Sequence, residues 1–135
     1  MDKVKVDHIG IATKSINNSS RIWEILGFVD TGEEIIPDQG VKVKFFSANK
    51  GPDIELLEPL GDNTPIGKFI KNHGPGIQQL AIRVSDIEKT ITELKKADIR
   101  LVYENPLKGA NGSLITFIHP KSAGGVLIEI VEKNQ

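Results

Sequence analysis

The sequence predicts an α+β chain built from two βαβββ modules. Three observations lead there. First, the chain repeats itself. His8-Ile9-Gly10-Ile11-Ala12 stands against Gln79-Leu80-Ala81-Ile82-Arg83, Ile16 against Ile87, and Leu26-Gly27-Phe28 against Ala97-Asp98-Ile99, seventy-one residues apart each time. Second, Ile54-Glu55-Leu56-Leu57-Glu58 stands against Ile128-Glu129-Ile130-Val131-Glu132 at seventy-four. The turn Lys108-Gly109-Ala110-Asn111-Gly112 is the expected place for the three extra residues. Third, each half reads as an alternating strand, an amphipathic helix and further short strands.

The elements follow in order. Val4 to Ala12 alternates and is rich in β-branched residues, which predicts a strand. Asn17-Asn18-Ser19-Ser20 offers a helix start, with Ile22, Trp23, Ile25 and Leu26 as its apolar face and Gly27 as its stop. Strands are expected near Gly32–Ile36, Val41–Ser47 and Asp53–Glu58. Thr64 caps a connecting helix from Pro65 to Asn72, with Pro65 at its first position. The second half opens with a strand at Ile77–Val84. Asp86 caps a helix through Ala97, with Ile87, Ile91 and Leu94 on its apolar face. Strands near Arg100–Tyr103, Ser113–Ile118 and Gly125–Val131 complete it.

The chain has 135 residues, about the modal size of one domain. A single domain over 1–135 is expected, with the first module at about 1–62, the connecting helix at about 64–73 and the second module at about 76–132. Apolar residues at 39% and charged residues at 26% make a globular composition. The net charge of −1 leaves no basic excess, so neither nucleic acid nor membrane is an expected partner. No cysteine is present, which excludes disulfides, thiolate metal sites and a cysteine nucleophile. No apolar run approaches a membrane span. The start MDKVKVDHIGIA is charged and alternating, unlike a signal peptide. A soluble, cytoplasmic protein is the expectation. There is no dinucleotide fingerprint and no P-loop.

Strand alternation sorts the candidate site residues. Ile9 and Ile11 face the helix, and His8, Gly10 and Ala12 face the other way. Leu80, Ile82 and Val84 repeat the first set, and Gln79, Ala81 and Arg83 the second. On the last strand of each half, Glu55 and Glu129 lie opposite the helix-facing Ile54, Leu56, Ile128 and Ile130. His8, Glu55, Gln79 and Glu129 thus hold equivalent places in the repeats. An imidazole, two carboxylates and an amide oxygen make a divalent-metal set. Without sulfur it suits Zn, Mn, Co, Ni or Fe. His73 and His119 read as structural, Trp23 as packing and Lys95-Lys96 as a solvated face.

At these residues the sequence resembles the vicinal oxygen chelate, or glyoxalase, superfamily, and within it the methylmalonyl-CoA epimerase branch. The stretches that carry the likeness are Asp7-His8-Ile9-Gly10-Ile11-Ala12, Gln39-Gly40-Val41-Lys42-Val43, Ile54 to Gly61, Pro65-Ile66-Gly67-Lys68-Phe69 and His119 to Glu129. The resemblance implies paired βαβββ modules forming an open half-barrel, a homodimer, and one divalent ion held by His8, Glu55, Gln79 and Glu129. Two departures stand out. Epimerases usually carry GxHHxA where this chain reads Gly76-Ile77-Gln78-Gln79-Leu80-Ala81, so glutamine replaces the expected histidine ligand. Some carry a glutamate, proposed as a base, where this chain has Val43.

The activity implied is inversion of the α-carbon of methylmalonyl-CoA or a related 2-substituted acyl-CoA. The metal would stabilise a developing enolate, with Glu129 or Glu55 as base. Gln39, Lys121 and Ser122 are candidate substrate contacts. Two rivals share the fold. One is another metal enzyme of the superfamily, such as a lactoylglutathione lyase. The other is a metal-free small-molecule-binding protein. Fold likeness alone does not separate them.

Overall fold

The structure, a computed structural model, describes residues 4–134. Residues 1–3 and 135, which the expected domain includes, lie outside the described residues. The chain divides into two compact units, residues 8–78 and residues from 79 onward joined by those up to Asp7. Each has the βαβββ order.

The first module contains β1 (Lys5–Ala12), α1 (Ile16–Ser19), α2 (Arg21–Ile25), β2 (Val29–Ile36), β3 (Val41–Ser47) and β4 (Asp53–Pro59). The strands lie in the order β2-β3-β4-β1. β1 pairs with β4 in parallel, while β2–β3 and β3–β4 are antiparallel. One face carries Ile9, Ile11, Phe46, Ile54 and Leu56, packed on Ile16, Trp23 and Phe28. The other carries Ala12, Val41, Val43 and Leu57. The connecting helix α3 (Pro65–His73) packs on that second face through Ile66, Phe69 and Ile70. It therefore covers part of the face that carries Glu55.

Thr64 caps α3 as expected, its hydroxyl accepting from the Gly67 amide at 3.1 Å. Gly67 is present for space. A Cβ there would lie 2.3 Å from the Gly61 carbonyl oxygen and 2.8 Å from that of Asp62. Both obstacles are backbone and cannot swing aside.

The first helix departs from expectation. Ser15 caps it, rather than the Asn17–Ser20 stretch, and it breaks into two short pieces at Ser20. The Ser20 hydroxyl donates to the Ile16 carbonyl at 2.6 Å, the back-bonding that bends helices. Only Ile16 is fully buried. Ile22, Ile25 and Leu26 are 59%, 69% and 63% exposed, so the expected apolar face does not form one. Trp23 packs edge-on to Phe28, with ring centroids 5.6 Å apart.

The second module contains β5 (Gly76–Arg83), α4 (Ile87–Lys96), β6 (Leu107–Lys108), β7 (Leu114–Ile118) and β8 (Ile128–Glu132), in the order β5-β8-β7-β6. β5 and β8 run parallel. Ile82, Ile118, Ile128 and Ile130 pack on Ile87, Ile91 and Leu94 of α4. Asp86 caps α4 by accepting from the Lys89 amide at 3.1 Å. The strand expected at Arg100–Tyr103 is reduced to a single bridge between Leu101 and Ile118. The short β6 pairs with β7 instead, after Asn105-Pro106 has interrupted the extended run; proline lacks the donor a ladder needs.

The registers turn the sequence repeat into a structural one. Gly10 lies opposite Glu55, and Ala81 opposite Glu129. Phe45 lies opposite Glu55, and Phe117 opposite Glu129. Phe45 and Phe117 are seventy-two apart, while Glu55 and Glu129 are seventy-four apart. One extra residue thus falls before β7 and two between β7 and β8. The Lys108–Gly112 turn does not absorb all three, as the sequence had led us to expect.

The repeat also carries a helix anchor. Glu58 accepts from the Ile16 amide at 2.8 Å, and Glu132 from the Ile87 amide at 2.9 Å. Each carboxylate satisfies an orphan amide at a positive helix end. Among the described residues, no helix is long and apolar enough to cross a membrane.

Three stability outcomes follow, all readable by urea unfolding. Gly67→Ala overpacks α3 against backbone and costs about 1–3 kcal/mol. Glu132→Ala removes a charge-assisted cap and costs about 1–2 kcal/mol, and Glu58→Ala a similar amount.

Candidate metal centre

Each module places one nitrogen or amide donor beside one glutamate. In the first, His8 on β1 stands two residues before Gly10, the partner of Glu55 on β4. Its Nδ1 lies 3.1 Å from Glu55 Oε2, with the side chains only 4% and 12% exposed. In the second, Gln79 stands two residues before Ala81, the partner of Glu129 on β8. Its Nε2 donates to Glu129 Oε1 at 2.5 Å, and Glu129 is 6% exposed. The geometry is the same device used twice. Gly10 and Ala81 are the small residues opposite the glutamates.

The donor chemistry fits a divalent ion. Carboxylates buried this deeply cost several kcal/mol unless positive charge answers them. Within the modules, their partners are an imidazole and a neutral amide. With Nε2 of Gln79 directed at Glu129, Oε1 is the atom that residue would offer a cation. Nitrogen and oxygen donors without sulfur match Zn, Mn, Co or Ni.

Asp7 is the residue that sequence reasoning missed. Strict alternation turns it away from His8, yet one ligand atom from each of Asp7, His8 and Glu55 lies within 4.8 Å of the others. Its buried carboxylate is also paired with Lys133 at 3.0 Å, so a lysine already answers its charge. The only sequence signal was its place beside His8.

The other candidates lie on two 3-10 turns. Gln39 ends the 3-10 turn Pro37–Gln39 and is half-buried. Lys121 and Ser122 lie on the 3-10 turn Pro120–Ser122 that follows β7. The Ser122 hydroxyl accepts from the Arg100 amide at 2.9 Å, and the next residue, Ala123, packs with the α4-side core. The Lys121 side chain is exposed. His119 is structural: its Nδ1 accepts from the Lys121 amide at 3.1 Å. Desolvation, with Arg100 and Lys121 nearby, holds its pKa below the ordinary value, which keeps that acceptor neutral. His73 lies against Phe69, with centroids 5.0 Å apart.

Two βαβββ modules with one N/O donor pair each define a class of protein, and comparison identifies it. The model of the Glyoxalase/Bleomycin resistance protein/Dioxygenase superfamily matches residues 7–117, and the chain belongs to that superfamily. The likeness narrows further. The mitochondrial methylmalonyl-CoA epimerase of Dictyostelium discoideum is 33% identical, over 96% of this chain and 78% of its own. The crystal structure of methylmalonyl-CoA epimerase from Mycobacterium tuberculosis is 41% identical, with a TM-score of 0.92 over 97% of this chain and 89% of its own. A methylmalonyl-CoA epimerase in complex with methylmalonyl-CoA and NH4+ is 29% identical, with a TM-score of 0.92 over 96% and 94%. These relatives are isomerases, the enzyme class the sequence led us to expect. The fold class and the epimerase-branch resemblance are borne out.

The buried carboxylate makes a distinguishing prediction. In metal-stripped protein, Glu129→Gln leaves stability unchanged or raises it by about 1–2 kcal/mol, because a neutral amide replaces a buried charge. With a divalent ion at a hundredfold its dissociation constant, wild type gains about 2.7 kcal/mol and the variant gains far less. Urea midpoints with and without Co²⁺ check both.

Proposed function

We propose that this protein is a metal-dependent epimerase that inverts the α-carbon of methylmalonyl-CoA or a related 2-substituted acyl-CoA. The observation that carries the reading is the duplicated donor pair, His8 with Glu55 and Gln79 with Glu129, set at one register in a chain whose relatives along nearly its whole length are epimerases. These four residues would hold one divalent ion. When bound, that ion supplies Lewis-acid stabilisation of negative charge on the thioester oxygen.

The chain's own groups do the rest. Glu129 serves as base and takes the α-proton of the acyl group, its burial holding the carboxylate away from bulk water. Lys121 offers an ammonium to the substrate carboxylate, while Ser122 and Gln39 contribute polar contacts. A cytoplasmic homodimer acting on a soluble acyl-CoA fits this reading, as does a net charge of −1, which leaves no basic excess.

A second reading has its own support. His8 with Gln79 resembles the histidine and glutamine arrangement of some glyoxalases, here with the modules exchanged. On that reading the substrate is a hemithioacetal.

Deuterium exchange decides between them. In D₂O, metal-loaded protein is expected to wash deuterium into the α-position of methylmalonyl-CoA and to racemise it, whereas metal-stripped protein does neither. Mass spectrometry and NMR read both events. Hemithioacetal turnover without acyl-CoA exchange would replace the epimerase reading with the glyoxalase one. Neither reaction, with any metal, would leave a binding role.

A further inference from the structure

Beside its site glutamate the second module differs from the first. Glu55 and Glu129 each have a phenylalanine directly opposite on the neighbouring antiparallel strand, Phe45 and Phe117. Directly opposed residues share a face, with Cβ atoms about 5 Å apart. In the first module the next residue along that row is Gly32, which carries no side chain. In the second, no regular strand follows. Between the Leu101–Ile118 bridge and the Leu107–Ile115 pair, residues 102–106 lie alongside Thr116 and Phe117 alone. The surplus bulges, and it brings Tyr103 to Phe117.

The bulge is pinned. The hydroxyl of the wholly buried Thr116 donates to the Tyr103 carbonyl at 2.6 Å, and the Val102 amide donates to the Phe117 carbonyl at 2.8 Å. The Tyr103 ring meets Phe117 edge-on, with centroids 6.4 Å apart and planes at 61°. Aromatic pairs favour such an arrangement, which adds to the hold on the ring. Phe117 itself packs with Ala81, Ile115, Val131 and Leu107. Tyr103 stays 37% exposed, so part of its ring is left for a ligand to touch. Outward from Glu129 the order is thus carboxylate, phenylalanine, tyrosine. Two strand spacings, about 10 Å, take the backbone from Glu129 to the bulged segment.

We infer that Tyr103 is a specificity-determining residue that limits the length of the substituent on the α-carbon. The inference rests on the epimerase reading above, in which Glu129 takes the α-proton. With the α-carbon at Glu129, a methyl substituent rests against Phe117. The Tyr103 ring is turned 61° from that of Phe117, so it ends the apolar strip rather than extending it. A longer alkyl chain meets the tyrosine ring. Room for one methylene is worth about tenfold or more in discrimination between substrates. The ring acts by its bulk, and the phenol hydroxyl takes no part.

The test uses the Co²⁺-loaded full chain with methylmalonyl-CoA, ethylmalonyl-CoA and propylmalonyl-CoA, each followed by α-deuterium exchange in D₂O. Wild type is expected to favour the methyl substrate. Tyr103→Ala is expected to raise kcat/KM for the ethyl substrate relative to the methyl one by about tenfold, and for the propyl substrate by more. Tyr103→Phe keeps the ring and is expected to hold both ratios within about twofold. A general structural role would slow all three substrates alike and leave the ratios unmoved. Tyr103 is the only tyrosine in the chain, so protein grown with 3-fluorotyrosine gives a single ¹⁹F resonance. That resonance is expected to move with ethylmalonyl-CoA and to stay within its linewidth with CoA alone. A ratio unchanged or lowered in Tyr103→Ala, or an equal shift with CoA alone, overturns the assignment. Wild type inert toward all three substrates overturns the epimerase reading itself, and this inference with it.

Discussion

The parallel register between the first and last strands of each module is the constraint on which the rest depends. Gly10 opposite Glu55, and Ala81 opposite Glu129, decide which side chains meet. Side chains alternate along a strand, so a slip of one residue would send each glutamate to the helix face and the adjacent leucine or isoleucine to the site. The same slip would pull Glu58 and Glu132 off the helix amides they cap. One short motif therefore performs two tasks. Its first glutamate equips the site, and its last fixes the helix whose burial holds the register.

The site is held against an electrostatic cost. Glu55 and Glu129 are far less hydrated than surface carboxylates, with an imidazole beside the first and an amide beside the second. The apolar layers beneath supply the compensation. Ile16, Phe46 and Leu56 are wholly buried in one module and Ile87 in the other. A fold with a core in each module can carry two buried carboxylates, and cation binding calls for such groups.

The modules share a plan but have diverged where function and packing differ. The first keeps full β2 and β3 strands and accepts α3 on its second face. The second replaces its β2 counterpart with a bridge and a two-residue strand. Histidine in one pair and glutamine in the other make the donor set asymmetric as well.

Periodicity and repetition in the sequence determined the module order, the helix caps at Thr64 and Asp86, and the face assigned to His8, Glu55, Gln79 and Glu129. These are local properties: a period of two or 3.6, a capping side chain and an interval that recurs. Tertiary structure alone decided the rest. Ile22 and Ile25 of α2 and Leu26 at its end have a helical apolar spacing, yet all three are exposed. Arg100–Tyr103 has strand propensity, but it forms only a bridge to the end of β7, at Leu101 and Ile118, while β6 beyond Pro106 pairs with the start of β7. Asp7 joined the surroundings of His8 although alternation turns it away, and Lys133, far along the chain, answers its charge. Propensity and alternation are set by neighbours in sequence, whereas strand pairing, burial and ion pairing depend on segments that meet only when the chain has folded.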